Sequence, residues 1–391
     1  MSNPRIILFT GKGGVGKTTL AAASAYKAAR QGHKTLILST DPAHSLSDAL
    51  DRHLEPEPTQ VDGNLYAQEV DLYYSMKKYW ENIRDLMLTL LKWQGVGAIA
   101  AEEMASIPGM EEGSALLWLE KFYTEAEYDV IIVDSAPTGE TLNLLTLPEV
   151  SRWWLKKAFP FQKFAIKTMG TALRGVTGVP IDKGYDELNG MFDKLNRVQN
   201  ILTDSQTSSI RLVMNPERMV VQEALRGYTY FQLYGYRVDA VLVNRVLTEE
   251  ASEGFFKEYY KSQQKYMQQI RNSFSPIPIY TIPHQGHEVF GMELLDQLSQ
   301  QAYGENDPAA MLFDEPTFEV VHEGNTYIFK IHLPFVDDEQ VDIHHKGDEL
   351  VLQIKNQRRN LFLPRFLLFY KMEGSEFKGD WLHVYFKLGE E

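Results

Sequence analysis

The stretch Gly11–Thr19 reads GKGGVGKTT. Glycine stands at Gly11, Gly13, Gly14 and Gly16, Val15 is the one apolar side chain, and there are two lysines, Lys12 and Lys17. The apolar run RIILFT precedes it, and the alanine-rich TTLAAASAYKAARQG follows and closes at Gly32. Strand, glycine loop and helix in that order, with Gly-x4-Gly-Lys-Thr between, form the phosphate-binding loop pattern in its required context. Glycines let backbone N–H groups curl around phosphate oxygens, and the helix opening near Lys17 turns its positive end toward them. Lys17 is expected to reach the β- and γ-phosphates of a nucleotide, Thr18 to hold Mg²⁺, and Thr19 to complete the loop. One lysine suffices for this work, so Lys12 needs a second explanation.

Composition bounds the rest. The chain has 391 residues, is 44% hydrophobic and carries a formal net charge of −14, which points away from general nucleic-acid binding. It has no cysteine, so disulfides, thiolate zinc sites, iron–sulfur clusters and cysteine nucleophiles are excluded. MSNP runs straight into RIILFT without a signal-peptide pattern, and no apolar run reaches the roughly 18 residues of a spanning helix. A cytoplasmic protein, or one of an equivalent organellar compartment, is expected.

Strand-like and helix-like segments alternate over the first three hundred or so residues. KTLILST, YDVIIVDSAP, IRLVMN, VDAVLVN and IPIYTIP are near-continuous apolar runs, as strands covered on both faces require. The fold class this predicts is α/β, a doubly wound and mostly parallel sheet, over residues 1–305. Two helical insertions interrupt it, at about 72–121 and 148–203. They carry Trp80, Met87, Leu90, Leu91, Trp93 and Met104, then Trp153, Trp154, Phe159, Phe161, Phe164, Met169 and Met191. Such residues suit either an apolar binding groove or an ordinary core. In RWWLKKAFPFQKFAIKTMGTALRG, aromatics mix with six cations, and Pro160 predicts a break or kink. A polar stretch over 306–315 reads as a linker, and 316–391 as a small β-sandwich, with EGN and KGDE as hairpin turns.

Lys12 completes the pattern K-G-G-x-G-K-[ST]. With it the chain resembles the deviant-Walker ATPases, in which the extra lysine crosses a dimer interface to the partner's nucleotide. A cation supplied in trans would stabilise charge on the γ-phosphate and make hydrolysis depend on subunit closure; the plain alternative is a solvated loop lysine. STDPAHSLSDAL, residues Ser39–Leu50, resembles switch I of the ArsA/Get3 family, which holds the arsenite-pump ATPase and the ATPase that targets tail-anchored proteins. The resemblance implies that Asp41 orients or deprotonates the attacking water and lies near Mg²⁺, that Pro42 and His44 belong to the switch loop, and that Asp48 helps to hold it. The same residues also fit a turn and a helix cap.

IIVDSAPTGETLNLL places Asp134 at a strand end, where a Walker B carboxylate meets Mg²⁺ through water, and DSAPTGETL resembles the family's switch II, with Pro137, Thr138 and Gly139 responding to the γ-phosphate. VLVNRV, with Asn244 and Arg245, and YTIPHQGHEVFGMELL, with Pro283, resemble the adenine-side segments. His284 and His287 make a weak metal signal that reads as a solvated loop.

SIPGMEEGSALLWLEKF resembles the family segment that couples nucleotide to client, and the two insertions match its client-binding subdomain by position. The resemblance, spanning nearly all of residues 4–300, implies a homodimeric Mg²⁺-ATPase that takes tail-anchored or other hydrophobic membrane-protein segments in a nucleotide-gated groove; the membrane receptor is unknown. Alternatives are an ATP-switched carrier of a lipid or small apolar molecule, and an arsenite-pump-like ATPase. The absence of cysteine removes the family's zinc clasp and its thiolate arsenite ligands. The C-terminal stretch YIFKIHLPFVDDEQVDIHHKGDELVLQIKNQRRNLFLP resembles an α-crystallin/small-heat-shock domain, with Phe335 where that family has glycine.

Overall fold

The computed structural model describes residues 3–41, 45–81, 88, 110–147 and 181–314, and, toward the C-terminus, 318–333, 336, 341–346, 349–354, 357–363, 367 and 369–388. Its centre is a sheet of eight strands: β1 Arg5–Thr10, β2 Thr35–Ser39, β3 Thr59–Asp62, β4 Leu65–Glu69, β5 Val130–Asp134, β6 Ser208–Met214, β7 Val238–Val246 and β8 Ile279–Pro283. Their order is β3-β4-β2-β5-β1-β6-β7-β8. Every neighbouring pair is parallel except β3 with β4. The apolar runs sit where continuous hydrophobicity demands: β2, β5 and β6 are buried at every position. β3 alternates half-buried and exposed residues, as an edge strand does.

Helix α1, Lys17–Arg30, begins where β1 ends. Its buried alanines, among them Ala21, Ala22, Ala25 and Ala28, let it approach its neighbours closely. Gly32, at φ +103, supplies the left-handed turn that stops it. The helices that follow are α2 Ser45–Leu50, α3 Leu72–Ser75, α4 Met110–Glu125, α5 Ile181–Thr203, α6 Arg218–Leu233, α7 Lys257–Phe274 and α8 Gly291–Tyr303. Alpha1 is tied to α8 by Ser24 Oγ and Tyr303 Oη at 2.8 Å, and to the residue after α8 by Lys27 Nζ donating to the Gly304 carbonyl at 2.7 Å. Among the described residues, no helix is long and apolar enough to cross a membrane.

Of the aromatic and methionine residues singled out in the two insertions, Trp80 and Met191 lie in the described part. Both are core: Trp80 is 3% and Met191 7% exposed, and Trp80 Nε1 donates to Ser114 Oγ on α4 at 2.9 Å. Met87, Leu90, Leu91, Trp93, Met104, Trp153, Trp154, Phe159, Pro160, Phe161, Phe164 and Met169 lie outside the described residues.

The stretch read as a linker lies against the main sheet. Arg211 and Asp239, both fully buried, pair at 3.4 Å. Asp239 also accepts from the Leu312 N–H at 3.4 Å, Arg211 donates to the Ala310 carbonyl at 3.3 Å, and Arg237 pairs with Asp314. A buried ion pair keeps unmet hydrogen-bonding capacity, and this segment meets part of it.

Beyond it stand two antiparallel sheets. One has the order β14-β15-β10-β9, from β9 Phe318–Glu323, β10 Thr326–His332, β14 Tyr370–Lys378 and β15 Trp381–Leu388. The other is β11 Val341–Lys346, β12 Glu349–Ile354 and β13 Gln357–Phe362. Alternate residues from both, such as Phe329, Ile331, Leu350, Leu352, Leu382 and Val384, share one core, so the region is the sandwich its patterning predicts.

Candidate functional site

The phosphate-binding loop sits at the C-terminal end of β1, the strand at which the sheet's order turns and where α/β sheets place their ligands. Backbone geometry explains its glycines. A Cβ on Gly11 would overlap the Val213 carbonyl oxygen, and one on Gly16, at φ +93, would overlap the Asn244 side chain. The Gly14 φ of +78 is left-handed.

The two lysines part company. Lys17 is buried, 5% exposed, and its Nζ lies 3.5 Å from the main-chain carbonyl of Lys12. Burial lowers its pKa, opposed by the nearby carboxylates of Asp134 and Asp41. Lys12 instead points outward and pairs with Glu223 on α6 at 3.1 Å. At 35% and 29% exposure, such a pair is worth about 0.2–1 kcal/mol.

Asp134 ends β5 and is fully buried. Its Oδ2 accepts from Ser39 Oγ at 3.2 Å, and Oδ1 has no partner. Burial pushes the carboxyl up to about 7, partly offset by Thr18, Lys17 and Ser39. A buried carboxylate with one oxygen unmet calls for a cation. Thr18 Oγ1 lies 3.1 Å from Ser45 Oγ, at the start of α2. The donor set, carboxylate and hydroxyl oxygens, fits a hard ion such as Mg²⁺. Asp41, half-buried at the end of the β2 segment, has its N–H 3.4 Å from Ser39 Oγ and lies within electrostatic reach of Lys17 and Asp134.

Ser39 and Ser45 were not singled out from the sequence, although both lie in the stretch that carries Asp41. The start of α2 is capped from a distance: Glu69 Oε1 accepts from the N–H groups of Leu46 and Ser47, each at 2.9 Å. Asp48 is exposed, in the first turn of α2. Pro42 and His44 lie outside the described residues.

The segment after β5 that resembles switch II is packed against the loop and against α6. Pro137 approaches Gly13, and Thr138, 4% exposed with an unpartnered Oγ1, lies so close to Gly227 of α6 that a Cβ there would stand 2.7 Å from its Cγ2. Gly139 is exposed at the start of a helical run over 138–147. Ser135 donates to the Phe9 carbonyl at 2.6 Å and meets Thr141 Oγ1 at 2.9 Å, so the segment is anchored to β1. Glu112 and Ala115 of α4 line a cavity of about 40 Å³ together with Ser135, Glu140 and Thr141 of the segment after β5.

On the other flank, β7 and β8 bring Asn244, Arg245 and Pro283 together, since Val246 pairs with Pro283. Asn244 Nδ2 donates to the Val15 carbonyl at 2.9 Å, while its Oδ1 accepts from the Arg245 N–H at 2.9 Å. This amide therefore holds the loop as well as flanking it. The two histidines are engaged locally: His284 Nδ1 accepts from the Gly286 N–H at 3.0 Å, and His287 Nδ1 lies 2.8 Å from the Glu288 carbonyl. Among the described residues, no group of three or more acidic or histidine side chains is placed to hold a metal.

A phosphate loop at the switch point of a mostly parallel sheet, with a buried lysine, a buried strand-end carboxylate and a second carboxylate beside it, defines a P-loop ATPase. Residues 4–304 match the anion-transporting ATPase family, and the chain belongs to it; residues 324–386 match the HSP20-like domain found in ArsA. It is similar to the putative arsenical pump-driving ATPase of Chlorobaculum tepidum, 38% identical over 392 residues, 99% of this chain and 97% of the relative. A second such protein, from Aquifex aeolicus, is 33% identical over 76% of this chain and 98% of its own length, so nearly all of it corresponds to three-quarters of this chain. A protein of Paramecium tetraurelia named ATPase ASNA1 homolog 1 is 29% identical over 75% of this chain and 91% of its own length.

Proposed function

We propose that the protein works as a homodimeric, Mg²⁺-dependent ATPase in the cytosol or an equivalent compartment, and that nucleotide-driven closure of the dimer binds hydrophobic protein segments. The observation that carries the dimer is the sorting of the lysines. Lys17 turns into the loop, whereas Lys12 projects away from it to Glu223 at 3.1 Å, in a partly exposed pair that a facing subunit could displace. The two helices on this flank expose apolar side chains near their starts. Met219, one helical turn before Glu223, is 72% exposed, and Phe255 and Phe256 are 95% and 52% exposed. Tyr259 Oη donates to Glu217 Oε1 at 3.1 Å, joining the starts of α6 and α7 across that face. A second copy of the chain is the occupant that would bring the matching lysine.

In this reading the backbone of Gly11–Thr19 and Lys17 bind the β- and γ-phosphates, and Asn244, Arg245 and Pro283 flank the base. Thr18, Asp134 and Asp41 would hold Mg²⁺, which when bound neutralises charge on the phosphate oxygens. Asp41 orients a water for attack on the γ-phosphorus and takes up its proton, and Lys12 of the facing subunit meets the charge that develops. Thr138 and Pro137, touching both the loop and α6, transmit the presence of the γ-phosphate. Glu112, in the segment that resembles the client-coupling motif, shares a cavity with switch II and so links hydrolysis to cargo.

The test of the cargo is mass spectrometry of material held by the Asp41→Asn protein in ATP. Peptides with an apolar helix support the reading; lipid alone replaces it with a lipid carrier. The names of two relatives suggest arsenical pumping as a second reading. This chain has no cysteine for thiolate binding, so stimulation of turnover by arsenite would require a different ligand set.

A further inference from the structure

We infer that Glu223 is a positioning residue that withholds Lys12 from the facing subunit, and that the C-terminal β-sandwich governs this hold by docking on α6. The inference rests on the trans role of Lys12 proposed above.

Three surfaces meet on this one helix. Glu223 and Gly227, four residues apart, lie on one stripe. Glu223 holds Lys12 at 3.1 Å, and Gly227 leaves only enough room for Thr138 of switch II. The adjacent stripe faces the sandwich. Gln222, Arg226, Thr229 and Tyr230 line a cavity of about 150 Å³ together with Val336 and Ile354. Tyr230 packs against both hydrophobic cores. The Tyr228 ring meets His332 edge-on at 6.4 Å, and His332 stacks on Trp381 of β15 at 4.8 Å. One helix therefore carries the loop lysine and the Thr138 segment on one stripe and the appended domain on the next.

The coupling has two definable states. In one, Lys12 is spent on Glu223 within its own chain; in the other, it is spent on the partner's nucleotide. One ammonium group serves one of these at a time, so whatever shifts α6 biases the choice. Both members of the pair are partly exposed, so the hold is weak enough to be released by a small displacement. Whatever binds the sandwich would then reach the nucleotide site through α6.

The test uses the full chain and measures ATP-dependent dimerisation and turnover in four proteins: Lys12→Ala, Glu223→Gln, Glu223→Asp and the docking variant Gln222→Ala/Arg226→Ala. Glu223→Gln should tighten ATP-dependent dimerisation and raise turnover about threefold to tenfold, while Glu223→Asp, which keeps the charge, stays near the parent. The docking variant should change both quantities in the parent and leave them unchanged when added to Glu223→Gln. If Lys12→Ala removes dimerisation but Glu223→Gln equals the parent, this inference fails and the trans role of Lys12 stands. If Glu223→Gln is active but the docking variant acts equally in both backgrounds, the sandwich does not work through Glu223, and that half of the inference is overturned. If Lys12→Ala changes neither quantity, the trans role itself fails. Val336→Ala, on the sandwich side of the same cavity, repeats the docking test without touching the helix.

Discussion

The Lys17 ammonium group lies 3.5 Å from the Lys12 main-chain carbonyl, while the Lys12 side chain leaves in the opposite sense to Glu223. One loop thus carries an inward cation and an outward cation. A buried ammonium is costly, and that carbonyl and the carboxylates around it offset the cost for Lys17. Lys12 bears no such cost, being partly exposed against Glu223.

Replacing the inward cation should abolish binding. Lys17→Ala is expected to weaken ATP binding by about 100-fold or more, since a charge-assisted contact to phosphate is lost from a desolvated site. Fluorescent-nucleotide titration measures it. Binding within a few-fold of the parent would remove Lys17 from the phosphates.

Asp41→Asn should separate binding from chemistry. The amide keeps the size of the side chain but accepts no proton, so turnover should fall by about 10²–10⁴ with ATP still bound. Single-turnover hydrolysis beside equilibrium binding reads both quantities. Equal losses in each would make Asp41 a binding residue instead.

The Asp134 carboxyl gives stability a pH dependence of known sign. Burial raises it from an ordinary 3.8 to about 7, so the folded chain binds this proton more tightly than the unfolded chain does. Its contribution to stability is therefore greatest below about 4, falls as pH rises toward 7 and levels off above. In urea unfolding without nucleotide, Asp134→Asn should gain on the parent between about pH 4 and about pH 7 and hold that gain above. Mg²⁺-dependent ATP binding needs the carboxylate and should strengthen over the same range. Parallel stability curves for the two proteins would contradict this account of the site.

Gly11→Ala tests the backbone argument. The added methyl meets the Val213 carbonyl, which belongs to the sheet and has little room to yield. A loss of about 1–3 kcal/mol in unfolding free energy is expected, together with loss of nucleotide binding. Gly14→Ala meets nothing within 4 Å and pays only for its left-handed φ of +78, so it should cost less. The reverse order would mean that the loop is shaped by something other than contact with β6.

Much of this site was legible because its chemistry is local. The glycines, Lys17 and Thr18 share one turn, and Asp134 closes an apolar run whose burial follows from its composition. What escaped notice acts across the fold. Ser39 and Ser45 matter because β2 and α2 bring them to Asp134 and Thr18, and a serine beside an aspartate carries little signal of its own. Glu69 caps α2 from a neighbouring strand, a contact made by sheet order and not by spacing. The antiparallel β3–β4 edge is short and polar on one face, so it lacks the apolar run that betrays the inner strands. Glu223 reads as an ordinary surface carboxylate of an amphipathic helix until Lys12 is found against it. Trp80 and Met191 fit a groove or a core equally well by pattern, and burial assigns both to the core.

The most direct test of the shared site is complementation between two inactive proteins. Lys12→Ala lacks the donated cation, Asp41→Asn lacks the group that handles water, and each alone should be nearly inert. Mixed and allowed to exchange subunits, they form heterodimers in which the Lys12→Ala site has its own Asp41 and borrows Lys12 from its neighbour. Roughly a quarter of parent turnover is expected, half the dimers being mixed with one competent site in each. A mixture as inactive as its components, with exchange verified, would mean that Lys12 serves its own nucleotide and that the dimeric account is wrong.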